Sequence, residues 1–138
     1  MTPLFKKLNL STNKSILVLN APDSFESEIA ALEGVAVSRN SSELPTIPFQ
    51  IAFVQTLAEV ESVAAALPPM SLGDVVIWFA YPKASSKQYR CEFNRDTGWA
   101  AVRAAGFDSV RQVAIDEDWS ALRFRRTEYI NSKTVTSR

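Results

Sequence analysis

The alternation of short apolar runs with helical stripes is the feature that most constrains how this sequence folds. Two segments, Ile16–Leu19 and Val75–Tyr81, are continuously apolar. Such runs are typical of central parallel strands that are covered on both faces of a sheet. Because helical patterns lie between the runs, we predict a three-layer, Rossmann-like α/β domain with a mostly parallel sheet.

The first apolar run opens a predicted strand–helix–strand unit. It is followed by Asn20–Pro22, and Asp23 or Ser24 then has the composition of a helix N-cap. The segment Val35–Val37 predicts a short second strand, and the crossover between the two parallel strands should be right-handed. Apolar residues that share one face of the intervening helix are Phe25, Ile29 and Leu32.

A second strand–helix pair follows a polar stretch. Residues 38–48 contain two prolines and predict a loop. Phe49–Gln55 predicts a third strand, and Thr56 with Glu59 has the spacing of a helix capping box. We predict that this helix ends at Pro68–Pro69, because proline disfavours helical backbone in the residue before it.

The last third of the chain predicts a helix and an antiparallel hairpin. Trp99–Ala105 carries a helical stripe, and Gly106 follows where the helix should close. Phe107–Ile115 and Ser120–Arg126 are rich in β-branched and aromatic residues on either side of the polar loop Asp116–Trp119.

The length of 138 residues predicts one domain. A chain of this size buries about two thirds of its unfolded surface, so it needs no disulfide or metal to fold. We predict a single α/β domain over residues 1–130 and a disordered C-terminal tail over residues 131–138. We expect a monomer rather than a homodimer.

Charge and composition exclude several classes of function. Fifteen basic residues balance fifteen acidic ones, so the chain lacks the summed field that attracts nucleic acid or a membrane surface. There is no histidine, which excludes Ser-His-Asp and Cys-His catalysis and every histidine-containing metal site. Cys91 is the single cysteine, so no disulfide forms within the chain, and we interpret it as an inert thiol.

The start of the chain gives an expectation about location. Met1–Lys7 contains basic residues but no apolar segment follows them, so it does not predict a signal peptide. No apolar run approaches the ~20 residues that a membrane span requires. We therefore predict a cytoplasmic protein.

The order of elements, with a last helix followed by a hairpin, resembles the C-terminal half of class I S-adenosylmethionine methyltransferases. The resemblance implies a cofactor loop after the first strand and an acidic residue after the second. The first loop, Asn20–Phe25, contains no glycine, and Val37 is followed by Ser38 and Arg39. The loop also lacks the glycines of a dinucleotide site. We predict a degenerate core that binds no cofactor.

Four segments resemble a bacterial family of short domains known as domain of unknown function 3052. They follow the family's order and extend the resemblance from about Leu4 to Arg126. The family has no established activity, so the resemblance implies the fold and no mechanism. The segments are Val18–Pro22, Ala80–Ser86, Asn94–Trp99 and Val113–Phe124.

Three loops should meet where the parallel strands end, which is the edge at which open α/β sheets bind ligands. We predict no catalytic residue and no metal ligand there. The candidate ligand-binding residues of this rim are Asn20, Asp23, Phe25, Tyr81, Lys83, Asp116, Glu117 and Trp119.

Each feature of the rim has two interpretations. Lys83 either holds an anion in a small polar pocket or pairs with a carboxylate of the hairpin and pins the hairpin to the sheet. Trp119 either caps the sheet edge or is displayed to a ligand. The loop Tyr81–Lys87 is either solvated surface or a phosphate site. On the last strand, Arg123 and Arg125 share a face and either protect an edge or contact an acidic partner.

Two hypotheses about function follow. The first is a non-enzymatic accessory or protein-interaction domain with a degenerate Rossmann-like core. The second is a small-molecule binder, for an anionic metabolite or nucleotide, or a weak enzyme that uses the rim. Lys83 separates them, because only the second hypothesis requires it for binding.

Overall fold

The structure is a computed structural model that describes residues 2–39, 47–70, 73–94 and 96–130, with no account of the side chains of residues 67–70. Most of the loop predicted at residues 38–48 lies outside the described residues. The disordered tail predicted at residues 131–138 lies outside them entirely.

The described residues form helices and strands that alternate along the chain. In order they are α1 (Pro3–Lys7), β1 (Ser15–Leu19), α2 (Asp23–Ala30), β2 (Ala36–Ser38), β3 (Phe49–Phe53), α3 (Leu57–Met70), β4 (Val76–Pro82), α4 (Ala100–Ala104), β5 (Phe107–Ala114) and β6 (Trp119–Arg126). No helix in these ranges is long and apolar enough to cross a membrane.

The strands form one six-stranded sheet in the order β2-β1-β3-β4-β6-β5. Strands β1 to β4 are parallel to one another, and β6 runs antiparallel to both β4 and β5. Every residue of β3 and β4 is buried, as expected for strands that are covered on both sides. The predicted α/β class, the mostly parallel sheet and the closing hairpin are confirmed.

Helices cover the two faces of this sheet and produce two separate cores. On the first, which we call the α2 face, Phe5 of α1 and Phe25 of α2 pack in the cluster that also contains Trp78. On the second, the α3 face, Val60 of α3 and Val102 of α4 pack in the cluster that also contains Phe79. The alternation of side chains along β4 therefore contributes to both cores.

Helix α1 was not predicted, and a hydrogen bond at its C-terminal end attaches it to the sheet. Thr2 caps the helix, since its Oγ1 accepts from the amide of Phe5 at 3.2 Å. The indole Nε1 of Trp78 donates to the carbonyl of Leu8 at 2.7 Å, and both residues are fully buried. Five residues are too few for a periodic signal, so the sequence did not reveal this helix.

Two predicted helix boundaries are wrong. The N-cap of α2 is Pro22, and Asp23 is the first helical residue, where its charge favours the helix dipole. Helix α3 continues to Met70, past Pro68–Pro69. Proline has a backbone φ close to the helical value, so Pro68 and Pro69 can belong to the last turn, and the helix ends one residue after them.

Replacement of Trp78 by phenylalanine should lower the free energy of unfolding by about 1–3 kcal/mol, because the buried carbonyl of Leu8 would lose its donor. Urea denaturation measures this loss. The variant should also release α1, so trypsin should cleave after Lys6 and Lys7 sooner than in the wild type.

The matched variant is Trp99→Phe, whose indole Nε1 donates instead to the carbonyl of Asn94 at 2.9 Å. This variant makes the same change of side chain on the α3 face, so it should leave cleavage after Lys6 and Lys7 unchanged. Equal cleavage in the two variants would contradict the role of Trp78.

Candidate functional site

The three predicted loops meet at the edge of the sheet where the parallel strands end. Asn20 follows β1, Lys83 follows β4, and Trp119 begins β6 directly opposite Pro82. Because β6 is antiparallel to β4, the loop that precedes β6 lies beside the end of β4. The topology therefore brings the candidate residues to one edge.

The switch point of the sheet lies between β1 and β3. From β1 the chain continues to β2 on one side of the sheet, and from β3 it continues to β4 on the other side. The side chain of Asn20 spans this point. Asn20 has φ of 60°, a conformation in which asparagine is one of the few residues other than glycine found regularly. Its Nδ2 donates to the carbonyl of Phe53 at 3.5 Å. Asparagine thus makes the turn without glycine and connects the ends of the two strands.

Aromatic rings fill the α2 face beneath this edge. The ring of Phe53 lies 4.9 Å from that of Phe25 and 5.2 Å from that of Trp119, centroid to centroid. Tyr89 covers Trp119 from the other side at 4.9 Å. Phe25, Phe53 and Trp119 are each 1–2% exposed, so Trp119 caps the sheet edge and is not displayed. Its Nε1 is buried without a hydrogen-bond partner among the described residues.

Tyr81 lies on the opposite face of the sheet from this aromatic cluster. Its ring packs against Trp99 at 5.7 Å and Phe93 at 6.1 Å, and its hydroxyl accepts from Nε2 of Gln112 at 2.9 Å. Tyr81 therefore lies at the same edge as Phe25 and Trp119 but on the other face of the sheet. Trp78, which belongs to the α2 core, and Tyr81 are three residues apart in β4, so their side chains project to opposite sides.

Asp116 holds the hairpin loop in shape. Its Oδ1 accepts from the amides of Asp118 at 2.8 Å and Trp119 at 2.9 Å, and its Oδ2 accepts from Oγ of Ser24 at 3.3 Å. This is the turn chemistry that aspartate favours, extended by a contact to α2. Asp23 and Glu117 are exposed.

Lys83 is joined to the hairpin through its backbone. Its amide donates to the carbonyl of Asp118 at 2.8 Å. Ser86 continues the connection, because its Oγ donates to Oδ1 of Asp118 at 2.9 Å and accepts from the amide of Tyr89 at 3.1 Å. No carboxylate oxygen lies within 4.0 Å of the Lys83 ammonium in the part of the chain that is described, so of the two interpretations of Lys83 the ion pair with the hairpin is not observed there.

An open groove of about 840 Å³ lies along residues 81–97, between the end of β4 and the start of α4. Three cationic side chains line it, those of Lys83, Lys87 and Arg90. The nearby carboxylate of Glu92 is engaged, since its Oε1 accepts from the amide of Leu57 at 2.9 Å. Burial raises the pKa of the Cys91 thiol above its usual value, so this thiol is not activated by its neighbour Arg90.

Sequence reasoning missed Phe53, Tyr89 and Arg90. Phe53 and Tyr89 complete the aromatic cluster, and Arg90 adds the third cation of the groove. The signal for Phe53 was present, because it ends an apolar strand beside Asn20 in the predicted sheet. Tyr89 and Arg90 lie in a connection without periodicity, and its path carries no local signal.

Arg39, the residue that follows β2, forms an ion pair with Glu26 of α2. Nη1 and Nη2 of Arg39 donate to the two carboxylate oxygens of Glu26 at 2.6 and 2.8 Å. These hydrogen bonds hold the pKa of Glu26 below its usual value. The described residues contain no group of three or more His, Cys, Asp or Glu side chains that could hold a metal ion.

Solved structures with a similar fold include methyltransferases. A SAM-dependent methyltransferase from Aquifex aeolicus matches with a TM-score of 0.61 at 9% identity, over 89% of this chain and 87% of that one. A possible exported protein from Bordetella parapertussis matches with a TM-score of 0.58 at 10% identity, over 89% and 65% of the two chains.

The N-methyltransferase NodS from Bradyrhizobium japonicum, in complex with S-adenosyl-L-homocysteine, matches with a TM-score of 0.52 at 10% identity, over 91% of this chain and 88% of that one. The chain matches no protein-family model and no curated protein sequence. At these identities the similarity shows the fold alone. The chain has the Rossmann-like architecture of methyltransferases.

The similarity to a SAM-dependent methyltransferase raises the question whether S-adenosylmethionine could bind at the switch point, and the residues present there do not fit this cofactor. Asn20 connects the strand ends where the cofactor would enter, and the rings of Phe25 and Phe53 fill the space below. After β2, Arg39 stands near the place of the expected acidic residue and is paired with Glu26. No chemical step is therefore assigned to this cofactor.

Replacement of Asp116 by alanine should lower the free energy of unfolding by about 1–3 kcal/mol, because the amides of Asp118 and Trp119 would lose their acceptor. Urea denaturation measures the loss. Glu117→Ala removes the same charge one residue away and should change stability by less than about 0.5 kcal/mol. Similar losses in the two variants would contradict a structural role for Asp116.

Proposed function

We propose that this chain is a non-enzymatic accessory domain that acts through protein interactions and uses the methyltransferase fold as a scaffold. The observation that carries the proposal is the filled space beneath the switch point, where the buried rings of Phe25 and Phe53 pack at 4.9 Å and the exposed Asn20 makes a long 3.5 Å contact to the Phe53 carbonyl above them. Ligands of open α/β sheets bind in the crevice at this point, so its closure removes the usual binding space of the fold.

Opening the crevice would be energetically costly. Phe25 and Phe53 are buried and their rings are in contact, and burial of one such side chain stabilises the fold by about 1.5–3 kcal/mol. The ring pair contributes roughly 0.5–1.5 kcal/mol more. A cofactor that displaced these rings would have to offset both contributions before it gained any affinity.

The polar groups at this edge support the same proposal. Asp116 and Asp118 accept hydrogen bonds that shape the hairpin and its neighbouring loop. The chain has no histidine to act as a base near neutral pH. We extend the proposal to membership of the bacterial family domain of unknown function 3052, which the segments quoted above support, and to a cytoplasmic location.

Addition of S-adenosylmethionine, S-adenosylhomocysteine, NAD or ATP at millimolar concentration should shift the melting temperature by less than about 1 °C. A ligand at 100 times its Kd would stabilise the folded state by about 2.7 kcal/mol, which is several degrees for a domain of this size. Differential scanning fluorimetry measures the shift. A reproducible shift of several degrees with any of the four compounds would overturn the proposal.

A second candidate function is the binding of a small anionic molecule in the groove along residues 81–97. The observation that favours it is the set of three cations, Lys83, Lys87 and Arg90, in an open space of about 840 Å³. None of them has a carboxylate oxygen within 4.0 Å among the described residues, so their charges remain available to a ligand.

Isothermal titration calorimetry with inorganic pyrophosphate and with citrate tests this second function. Lys83→Ala and Arg90→Ala should each weaken binding about fivefold or more, because each removes one charge-assisted contact. Lys14→Ala removes a lysine that lines a different cleft and should leave binding unchanged. The second function fails if neither anion binds, or if Lys14→Ala weakens binding as much as Lys83→Ala.

A further inference from the structure

The hairpin of β5 and β6 presents three arginines on one side of the sheet. Arg111 of β5 lies directly opposite Arg123 of β6, and Arg125 follows two residues later on the same strand. Side chains two residues apart in a strand share a face, so the three guanidinium groups project from the same side of the hairpin. The chain as a whole is neutral, which makes this a local excess of positive charge.

Among the described residues, Arg125 is the one of these three arginines that forms an ion pair, and its partner Asp74 also lies near enough to Arg123 to interact with its charge. Nη2 of Arg125 donates to Oδ2 of Asp74 at 2.5 Å, and its Nε donates to Oδ1 at 2.9 Å. Asp108 is engaged by Nε of Arg103 at 3.1 Å. Within the described residues, Arg111 and Arg123 have no carboxylate oxygen within 4.0 Å.

Arg123 is held where a positive charge is costly. Its Nε is buried and has no hydrogen-bond partner in the described part of the chain. Burial, and then the nearby charge of Arg125, lower the pKa of Arg123 below its usual value. Like charges that lie opposite each other on two strands destabilise the pair, and a buried donor without an acceptor adds a further penalty. An anionic group placed here would relieve both penalties.

The outer edge of the hairpin is available to another chain. β5 ends the sheet, so one side of its backbone pairs with no described strand. A β-bulge lies between Ser109 and Arg111, and Val110 is 42% exposed there. An exposed edge strand is a template for pairing with an extended segment of another protein.

We infer that the outer edge of β5, with Arg111 and Arg123, is the docking surface for an acidic segment of a partner protein, which adds to the sheet as a strand. Main-chain hydrogen bonds to β5 would supply affinity, and alternate acidic side chains would face the arginines. Neighbouring strands lie about 4.8 Å apart, so an acidic side chain beside β5 is close to Arg111 and within reach of the long Arg123 side chain. This inference rests on the proposed interaction function.

Charge favours this occupant over a second copy of the chain. Arg111 lies near the middle of β5, so antiparallel pairing of two β5 strands about their centres would bring two Arg111 side chains together. Such a like-charge contact is unfavourable, whereas a carboxylate at the same place is favourable.

The test uses the whole chain and a fluorescent peptide of alternating glutamate and valine, eight residues long. Fluorescence anisotropy should show binding to the wild type. Arg111→Gln and Arg123→Gln should each weaken it about fivefold or more, because each removes a charge-assisted contact. Hydrogen exchange should slow at backbone amides of β5 when the peptide is bound.

Three controls keep the inference falsifiable. Arg39→Gln removes one positive charge at the opposite edge of the sheet, after β2, and should leave binding unchanged. A lysine–valine peptide should not bind, because its charge is wrong. A glutamate–proline peptide has the right charge but cannot pair as a strand, and it should bind at least fivefold more weakly.

Several results would overturn the inference. The first is that the glutamate–valine peptide does not bind at millimolar concentration, or that the glutamate–proline or lysine–valine peptide binds as tightly. The second is that Arg39→Gln weakens binding as much as Arg111→Gln. The third is that sedimentation velocity shows a dimer of the chain that does not bind the peptide. None of these results bears on the melting-temperature test with S-adenosylmethionine. Failure of the docking surface is therefore distinguishable from failure of the proposed non-enzymatic function.

Discussion

The burial of β4 on both faces is the constraint on which the rest of the structure depends. Trp78 projects into the α2 face and holds α1 through Leu8, whereas Phe79 projects into the α3 face. β4 also joins the parallel half of the sheet to the antiparallel half, since it pairs with both β3 and β6. Its carboxyl end therefore determines where the hairpin loop and the groove along residues 81–97 lie.

The edge at the ends of the parallel strands has two halves with opposite properties. At the switch point, the buried rings of Phe25 and Phe53 are in contact, and Asn20 reaches the carbonyl of Phe53 at 3.5 Å. Past the end of β4, the described residues between Lys83 and Thr97 line an open polar groove. The fold is shared with solved methyltransferase structures, and a shared fold does not by itself carry a function.

The hairpin has a buried part and a more exposed, charged part on the same face of the sheet. Near the loop, Trp119 and Val113 are buried and complete the α2 core. Farther along, the same face carries Arg111 and Arg123, neither of which has a carboxylate oxygen within 4.0 Å among the described residues. Positive charge beside the edge strand β5 discourages pairing with another copy, and it is consistent with the acidic strand that we propose as the partner.

Local patterns in the sequence determined the class of fold, because strand and helix periodicity depend on residues close together in the chain. The apolar segment Val75–Tyr81 predicted the central strand, and Phe25 with Ile29 predicted the buried face of α2. The lack of glycine after β1 also predicted a turn unlike a cofactor loop, and Asn20 makes that turn.

Only the tertiary structure decided how the candidate residues are arranged. The register of β4 against β6 places Trp119 opposite Pro82, so its ring joins the core instead of facing a ligand. Tyr81 lies on the far face, and Lys83 meets the hairpin through its backbone instead of its charge. These outcomes depend on strand pairing and on the path of an aperiodic loop, which are long-range contacts. No local pattern along the chain encodes such contacts, so the sequence by itself determined the scaffold and the structure decided the site.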